Sequence, residues 1–223
     1  MTSWWVPFAS LFTGALVTSL VVTPFARKLA WQLGSVDYPG GRRINCKPLP
    51  RMGGISIFCA LVVSMALASL GRWALGWPGL DPLAMRQESG LDYPKLVLGF
   101  GIVFLTGLLD DYFDLSPRQK LFGQVIAAAV AVSGGLIIDV VVNPLDNEGL
   151  YLGWLAYPLT ICYLVAYTNI FNLIDGLDGL ASGIACIASC TMWVVSTMAG
   201  HLDAAVLAIV LAGATLGFLR YNF

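Results

Sequence analysis

Charged residues are scarce in this chain: 11% of its 223 residues are Asp, Glu, Lys or Arg, their net charge is −1, and 58% of all residues are hydrophobic. Soluble domains average about 25% charge, so the shortage excludes an ordinary water-facing surface, and no nucleic-acid partner is expected. Histidine is nearly missing. His201 stands alone, in a predicted outer loop where it reads as a solvated residue. Five cysteines give no paired framework, and Cys59, Cys162, Cys186 and Cys190 fall inside apolar segments. They read as small buried hydrophobes rather than as a disulfide or zinc set. There is no internal repeat and no low-complexity tract. The first apolar block has no basic residue ahead of it and no small-residue cleavage site after it, which favours a genuine first span over a cleaved secretory signal.

What is present is apolar sequence in lengths that match a bilayer. A spanning helix needs roughly 20 mostly apolar residues, and seven blocks qualify or come near: Trp4–Ala26, Gly53–Leu70, Leu96–Leu109, Leu121–Ile138, Tyr151–Phe171, Leu180–Ala199 and Ala204–Leu219. The third and seventh are short, so their helices are expected to extend into flanking polar residues. The predicted fold is all-α, a polytopic integral membrane protein of about seven transmembrane helices. With Met1 outside, nine basic residues (Arg27, Lys28, Arg42, Arg43, Lys47, Arg51, Arg118, Lys120 and Arg220) fall inside, against Arg72, Arg86 and Lys95 outside. Basic residues concentrate on the cytoplasmic side, which predicts an outer N-terminus and an inner C-terminus.

Three inner segments carry candidate chemistry. The first, Ser35 to Gly54, sets Arg42, Arg43, Lys47 and Arg51 among prolines and glycines, which predicts an ordered turn. It reads either as a topology signal touching anionic lipid or as a phosphate-binding loop, and the interleaved prolines and glycines favour the loop. The second holds Asp110, Asp111 and Asp114. The apolar run before them has 14 residues, about 21 Å of helix against a core of roughly 30 Å, so the acid pair lies at the membrane boundary. Adjacent carboxylates repel, the more so as the dielectric falls; a divalent cation or Lys120 would relieve them. Ser116 and Pro117 read separately, as cap and first turn of the next helix.

The third is Asn169-Ile-Phe-Asn-Leu-Ile-Asp-Gly-Leu-Asp-Gly, with Asn169, Asn172, Asp175 and Asp178 three apart. Steps of three turn a helix by about 300°, so an unbroken helix would set Asn169 and Asp178 on opposite faces. The glycines predict a helix end and a loop instead. Oxygen donors without His or Cys suit Mg²⁺, with Mn²⁺ possible. The residues alone thus describe an inner-face site for a metal-bound phosphate compound at the edge of lipid.

Three stretches together resemble the polyprenyl-phosphate N-acetylhexosamine-1-phosphate transferases, of glycosyltransferase family 4 type: Asp37 with Pro48-Leu-Pro-Arg-Met-Gly-Gly54, Asp110-Asp-Tyr-Phe-Asp-Leu-Ser-Pro-Arg-Gln-Lys120, and Asn172-Leu-Ile-Asp-Gly-Leu-Asp-Gly-Leu-Ala181. The pattern looks closest to the bacterial undecaprenyl-phosphate GlcNAc-1-phosphate transferase branch, with phospho-MurNAc-pentapeptide transferases as the alternative. The resemblance implies transfer of a sugar-1-phosphate from a UDP-sugar to undecaprenyl phosphate at the cytoplasmic leaflet of the plasma membrane, releasing UMP. It implies Asn172, with Asp110 and Asp111, as magnesium ligands; Asp110, Asp111 and Asp175 as active-site acids; and Lys120, Asp178, Arg51 and Lys47 as substrate contacts. Asn45 stands where many relatives have His. Relatives also continue past the position of Phe223, so residues 1–223 are expected to be a single transmembrane transferase domain cut short at its C-terminal end. From another class, a transporter or flippase of lipid-linked phosphate fits similar groups, as does an inactive truncated membrane protein.

Overall fold

The computed structural model describes residues 5–38, 48–77, 90–143, 145, 148–176 and 178–222. Among them are seven α-helices and two short antiparallel ribbons, giving an all-α polytopic membrane protein. In chain order they are α1 (Trp5–Leu33), β1 (Val36–Asp37), β2 (Leu49–Pro50), α2 (Gly54–Leu75), α3 (Tyr93–Phe113), α4 (Pro117–Ser133), β3 (Val140–Val142), β4 (Gly149–Tyr151), α5 (Ala156–Ile174), α6 (Leu180–Met198) and α7 (Leu202–Leu219). Six are long and apolar enough to cross a membrane, among the described residues. The short third and seventh blocks extend as expected: α3 starts at Tyr93 and runs through Asp110 and Asp111, and α7 starts at Leu202. The fourth block is corrected. Its helix stops at Ser133, 17 residues long, rather than at Ile138, because Gly134 and Gly135, the latter at φ +91°, terminate it.

The chain forms two compact units, Met1–Met85 with Asn172–Phe223, and Arg86–Phe171. In the first, α7 is the central element. Helices in lipid gain little by burying apolar surface against one another, so small residues that admit close backbone approach decide the packing. Gly213 and Gly217, one turn apart, face the backbone carbonyls of Phe12 and Leu16 on α1, and a Cβ at either glycine would overlap them. Around this contact Leu11, Ala15, Ala60, Ala205 and Ala214 are fully buried. Trp193 of α6 closes one end, edge-on to Trp5 and Phe8. At the other end Asn222 donates from Nδ2 to Ser182 Oγ at 3.0 Å.

In the second unit α3 and α4 form a helical hairpin. Gly99 is pressed on the Ala127 carbonyl and Gly123 on Thr106, again leaving no room for a side chain. The open end of the hairpin is tied by Asp92 N–H donating to the Gly134 carbonyl at 2.8 Å. The β3–β4 ribbon follows, paired Val140–Tyr151, Val141–Leu150 and Val142–Gly149. Thr160 fastens it to α5: this buried hydroxyl accepts from Ile138 N–H at 2.9 Å and donates to the Ala156 carbonyl at 2.7 Å.

Candidate functional site

The acid pair sits where a helix tolerates it least. Asp110 and Asp111 occupy the last turn of α3, which has no basic residue of its own. Unpaired carbonyls there already carry partial negative charge. The chain turns back in three residues. Asp114 takes the left-handed conformation at φ +49° and donates its N–H to the Asp110 carbonyl at 3.0 Å; Asp is one of the few residue types that enter this region readily. Ser116 then caps α4, with Gln119 N–H donating to its Oγ and its own N–H donating to Gln119 Oε1 at 2.9 Å. Pro117 opens the helix. This is the reciprocal capping box, and it confirms the sequence reading of Ser116 and Pro117.

The turn delivers Lys120 to the acids. Its ammonium donates to Asp110 Oδ2 at 2.7 Å, with both side chains about a quarter exposed. The repulsion expected of the pair is thus partly met by the predicted basic neighbour. A short charge-assisted bond of this kind is roughly twice as strong as a neutral one.

In the third segment the predicted break is present. Helix α5 ends at Ile174, with Asn172 in its last turn, and α6 begins at Leu180. Between them Asp175 and Asp178 occupy a turn, and Gly179 starts α6 at φ +72°. A side chain there would be strained, so glycine is what lets the chain re-enter a helix directly after Asp178. Asp175 reaches the surface but is crowded on one side, and that partial burial raises its pKa above the usual carboxylate value. Asn169 departs from the expected four-residue convergence. Its amide donates to the Val165 carbonyl at 2.8 Å and to Gln124 Oε1 at 2.7 Å, and Gln124 is buried. It is part of the packing of the second unit.

In the first segment Arg51 forks onto Asp37 through Nε and Nη2, and its N–H donates to the Ser35 carbonyl at 3.0 Å. With the β1–β2 pairing of Val36 with Pro50 and Asp37 with Leu49, this ties together the two described ends of the basic segment; residues 39–47, on which the expectation of an ordered turn mainly falls, lie outside the described residues. Sequence reasoning quoted Asp37 and Arg51 in one motif but did not pair them; an acid and a base on the two sides of one loop was the available signal. Lys47, with Arg42, Arg43 and Asn45, lies outside the described residues.

Among the described residues, no three His, Cys, Asp or Glu side chains gather into a metal cluster. Magnesium does not need three, since one or two carboxylates with substrate phosphates are its usual shell. Asp110 and Asp111 fit that pattern as adjacent hard-oxygen donors at a negatively polarised helix end. Within the second unit the structure joins Asp110 to Lys120; within the first, the chain order brings Asn172, Asp175 and Asp178 to one helix end and turn.

Residues 93–223 match the family model described as glycosyl transferase family 4. Among curated proteins, the probable undecaprenyl-phosphate N-acetylglucosaminyl 1-phosphate transferase of Bacillus subtilis is 36% identical over 212 residues, covering 95% of this chain and 54% of that protein. The decaprenyl-phosphate N-acetylglucosaminephosphotransferase of Mycobacterium tuberculosis (strain H37Rv) is 34% identical over 221 residues, 95% and 52% of the two. The phospho-N-acetylmuramoyl-pentapeptide-transferase of Shouchella clausii is 33% identical over 236 residues, 100% of this chain and 68% of its own length. The chain spans about half the length of the first two relatives.

Proposed function

The chain belongs to glycosyl transferase family 4, and from that premise we propose that it carries part of the active site of a sugar-1-phosphate transferase at the cytoplasmic leaflet of a bacterial plasma membrane. The proposed acceptor is undecaprenyl phosphate. The proposed donor is a UDP-sugar, with GlcNAc favoured by the names of the Bacillus and Mycobacterium relatives. The excess of basic residues on one side of the spans supports the cytoplasmic assignment. The observation that carries the reading is the acid pair at the wrong end of α3, with Asp110 held against Lys120 across a three-residue capped turn.

The chemistry follows from charge. A phosphate monoester has its second pKa near 6, so most of the lipid acceptor is dianionic at pH 7 and needs no general base. Its oxygen attacks the β-phosphorus of the donor, a new P–O bond forms, the bond to the bridging oxygen breaks, and UMP leaves. In such transfers positioning and charge neutralisation supply most of the rate. Lys120 contributes by exchanging Asp110 for a diphosphate oxygen. Asp110 and Asp111 would hold a divalent cation, Mg²⁺ or Mn²⁺, and a ligand role is proposed for Asn172 as well. When bound, the ion supplies neutralisation of the diphosphate. Asp175 acts as a further active-site acid, Asp178 meets the uracil, and Arg51 and Lys47 meet phosphate.

The test is UMP release from UDP-GlcNAc by the protein in membranes, with and without polyprenyl phosphate and Mg²⁺. Release that requires both is the expected result. Movement of lipid phosphate across vesicles without UMP release rejects the transferase. Near-normal turnover in both Asp110→Asn and Asp111→Asn removes the acid pair from the chemistry.

A further inference from the structure

Within the strands Val140–Val142 and Gly149–Tyr151 neither face of the β3–β4 ribbon is polar; the polar residues Asp139, Asn143 and Glu148 lie at its two ends, where backbone bonds continue the ladder. Strands that pack on protein with one side and meet water with the other alternate apolar and polar residues. Here one face carries Val140, Val142 and Tyr151, and the other Val141 and Leu150, following the pairing register. Val141, Val142, Leu150 and Tyr151 are all exposed. The exposure continues along the chain through Trp154 (76%), Leu155 and Tyr157 into the first turn of α5, whose apolar span begins at Gly153. In water this surface would be a liability, and a lone two-stranded ribbon would be marginal.

Three observations name the occupant. The ribbon is continuous with an exposed membrane-spanning helix, of whose apolar window only 6% is buried. The exposed residues beside it, Tyr151, Trp154 and Tyr157, are of the type that collects at membrane–water boundaries, apolar in body and polar at the tip. And a two-stranded ribbon has outward N–H and C=O groups that hydrocarbon cannot satisfy, which keeps it out of the bilayer core. We propose that the β3–β4 ribbon and the aromatic residues after it form an interfacial anchor, seated with both faces in the headgroup–acyl boundary at the N-terminal end of α5. The Thr160 hydroxyl, bonded to both Ile138 and Ala156, makes the anchor rigid with the helix, so it sets the depth at which α5 rides. This inference does not depend on the catalytic reading.

The experiment is depth measurement in vesicles of phosphatidylethanolamine and phosphatidylglycerol. Spin labels are placed by Val141→Cys and Val142→Cys, one on each face, with Ala166→Cys inside α5 as reference, in a background lacking native cysteines. Both ribbon labels should favour oxygen over an aqueous nickel chelate several-fold, at a depth shallower than position 166. Water-like accessibility on either face overturns the proposal, as does a depth equal to that of the reference. Dipolar broadening between labels assigns the ribbon to a second copy of the chain and also overturns it. A second measurement keeps the native cysteines: Trp154→Phe should remove emission quenched by lipids brominated near the headgroup. If the lost emission is quenched by iodide alone, the anchor is rejected.

Discussion

Helices α7 and α5 are of nearly equal length, 18 and 19 residues, yet they meet opposite surroundings. Of the apolar window of α7, 56% is buried, against 6% for the span that includes α5. Length does not distinguish them, but glycine spacing does. Gly213 and Gly217 bring α7 onto the backbone of α1, whereas α5 carries Tyr157, Tyr163, Tyr167 and Ile170 exposed. One helix is held by what its residues lack, the other displays what its residues have. Helix α7 is therefore sensitive to added volume along its contact with α1, whereas α5 is not, and the α3–α4 hairpin, besides its own glycine contacts at Gly99 and Gly123, depends on local polar devices such as the α4 cap and the ion pair.

The largest expected effect tests that dependence in the second unit. Lys120→Met removes the cation from Asp110 and should lower UMP release by about 10²–10³, the loss typical when one preorganised donor is deleted. A turnover within a few-fold of wild type, at equal folded yield, breaks the assignment. Next in size, Gly217→Leu should cost about 1–3 kcal/mol by overpacking α1 against α7, read as lost thermal stability in detergent. The same change at Gly101, which has open space around its Cβ position, should stay within about 0.5 kcal/mol. Equal costs at the two glycines would abolish the contrast between a helix seated on a neighbour's backbone and one with open space around it. Ser116→Ala should cost about 1 kcal/mol through loss of the α4 cap, visible as faster amide exchange in the first turn of α4.

The smallest effect separates stability from activity. Partial burial raises the pKa of Asp175 above its ordinary 3.8. An acid with a raised folded-state pKa favours folding below its ordinary value, and that contribution falls away as pH climbs through the folded value. Asp175→Asn should therefore flatten this part of the stability–pH curve and leave thermal stability at pH 7 unchanged or slightly higher, while turnover falls. A variant that loses stability at pH 7 would show that the carboxylate is held by a favourable partner.

Much of this was legible in the sequence, for physical reasons that vary by element. The spans were readable because lipid demands apolar length. The Asp175–Gly179 break was readable because a three-residue rhythm cannot stay on one helix face, and the Ser116 cap because its chemistry is local. The β3–β4 ribbon was not, since Leu136-Ile-Ile138 is as apolar as the helix before it and only Gly134-Gly135 marks the change. Nor was the fate of Asn169: its spacing matched Asn172 and Asp175, but its partner, Gln124, is 45 residues away and carries no local signal. Asp37 was quoted as part of a motif, yet its bond to Arg51 depends on a loop closing across 14 residues.

Helix α1 has 29 residues, about 43 Å at 1.5 Å each, against roughly 30 Å of hydrocarbon. Its Arg27 and Lys28 are exposed and mark where it leaves the apolar layer, so its final turns serve as a pedestal. The β1–β2 clasp with Asp37 and Arg51 stands on that pedestal, lifted clear of the acyl chains.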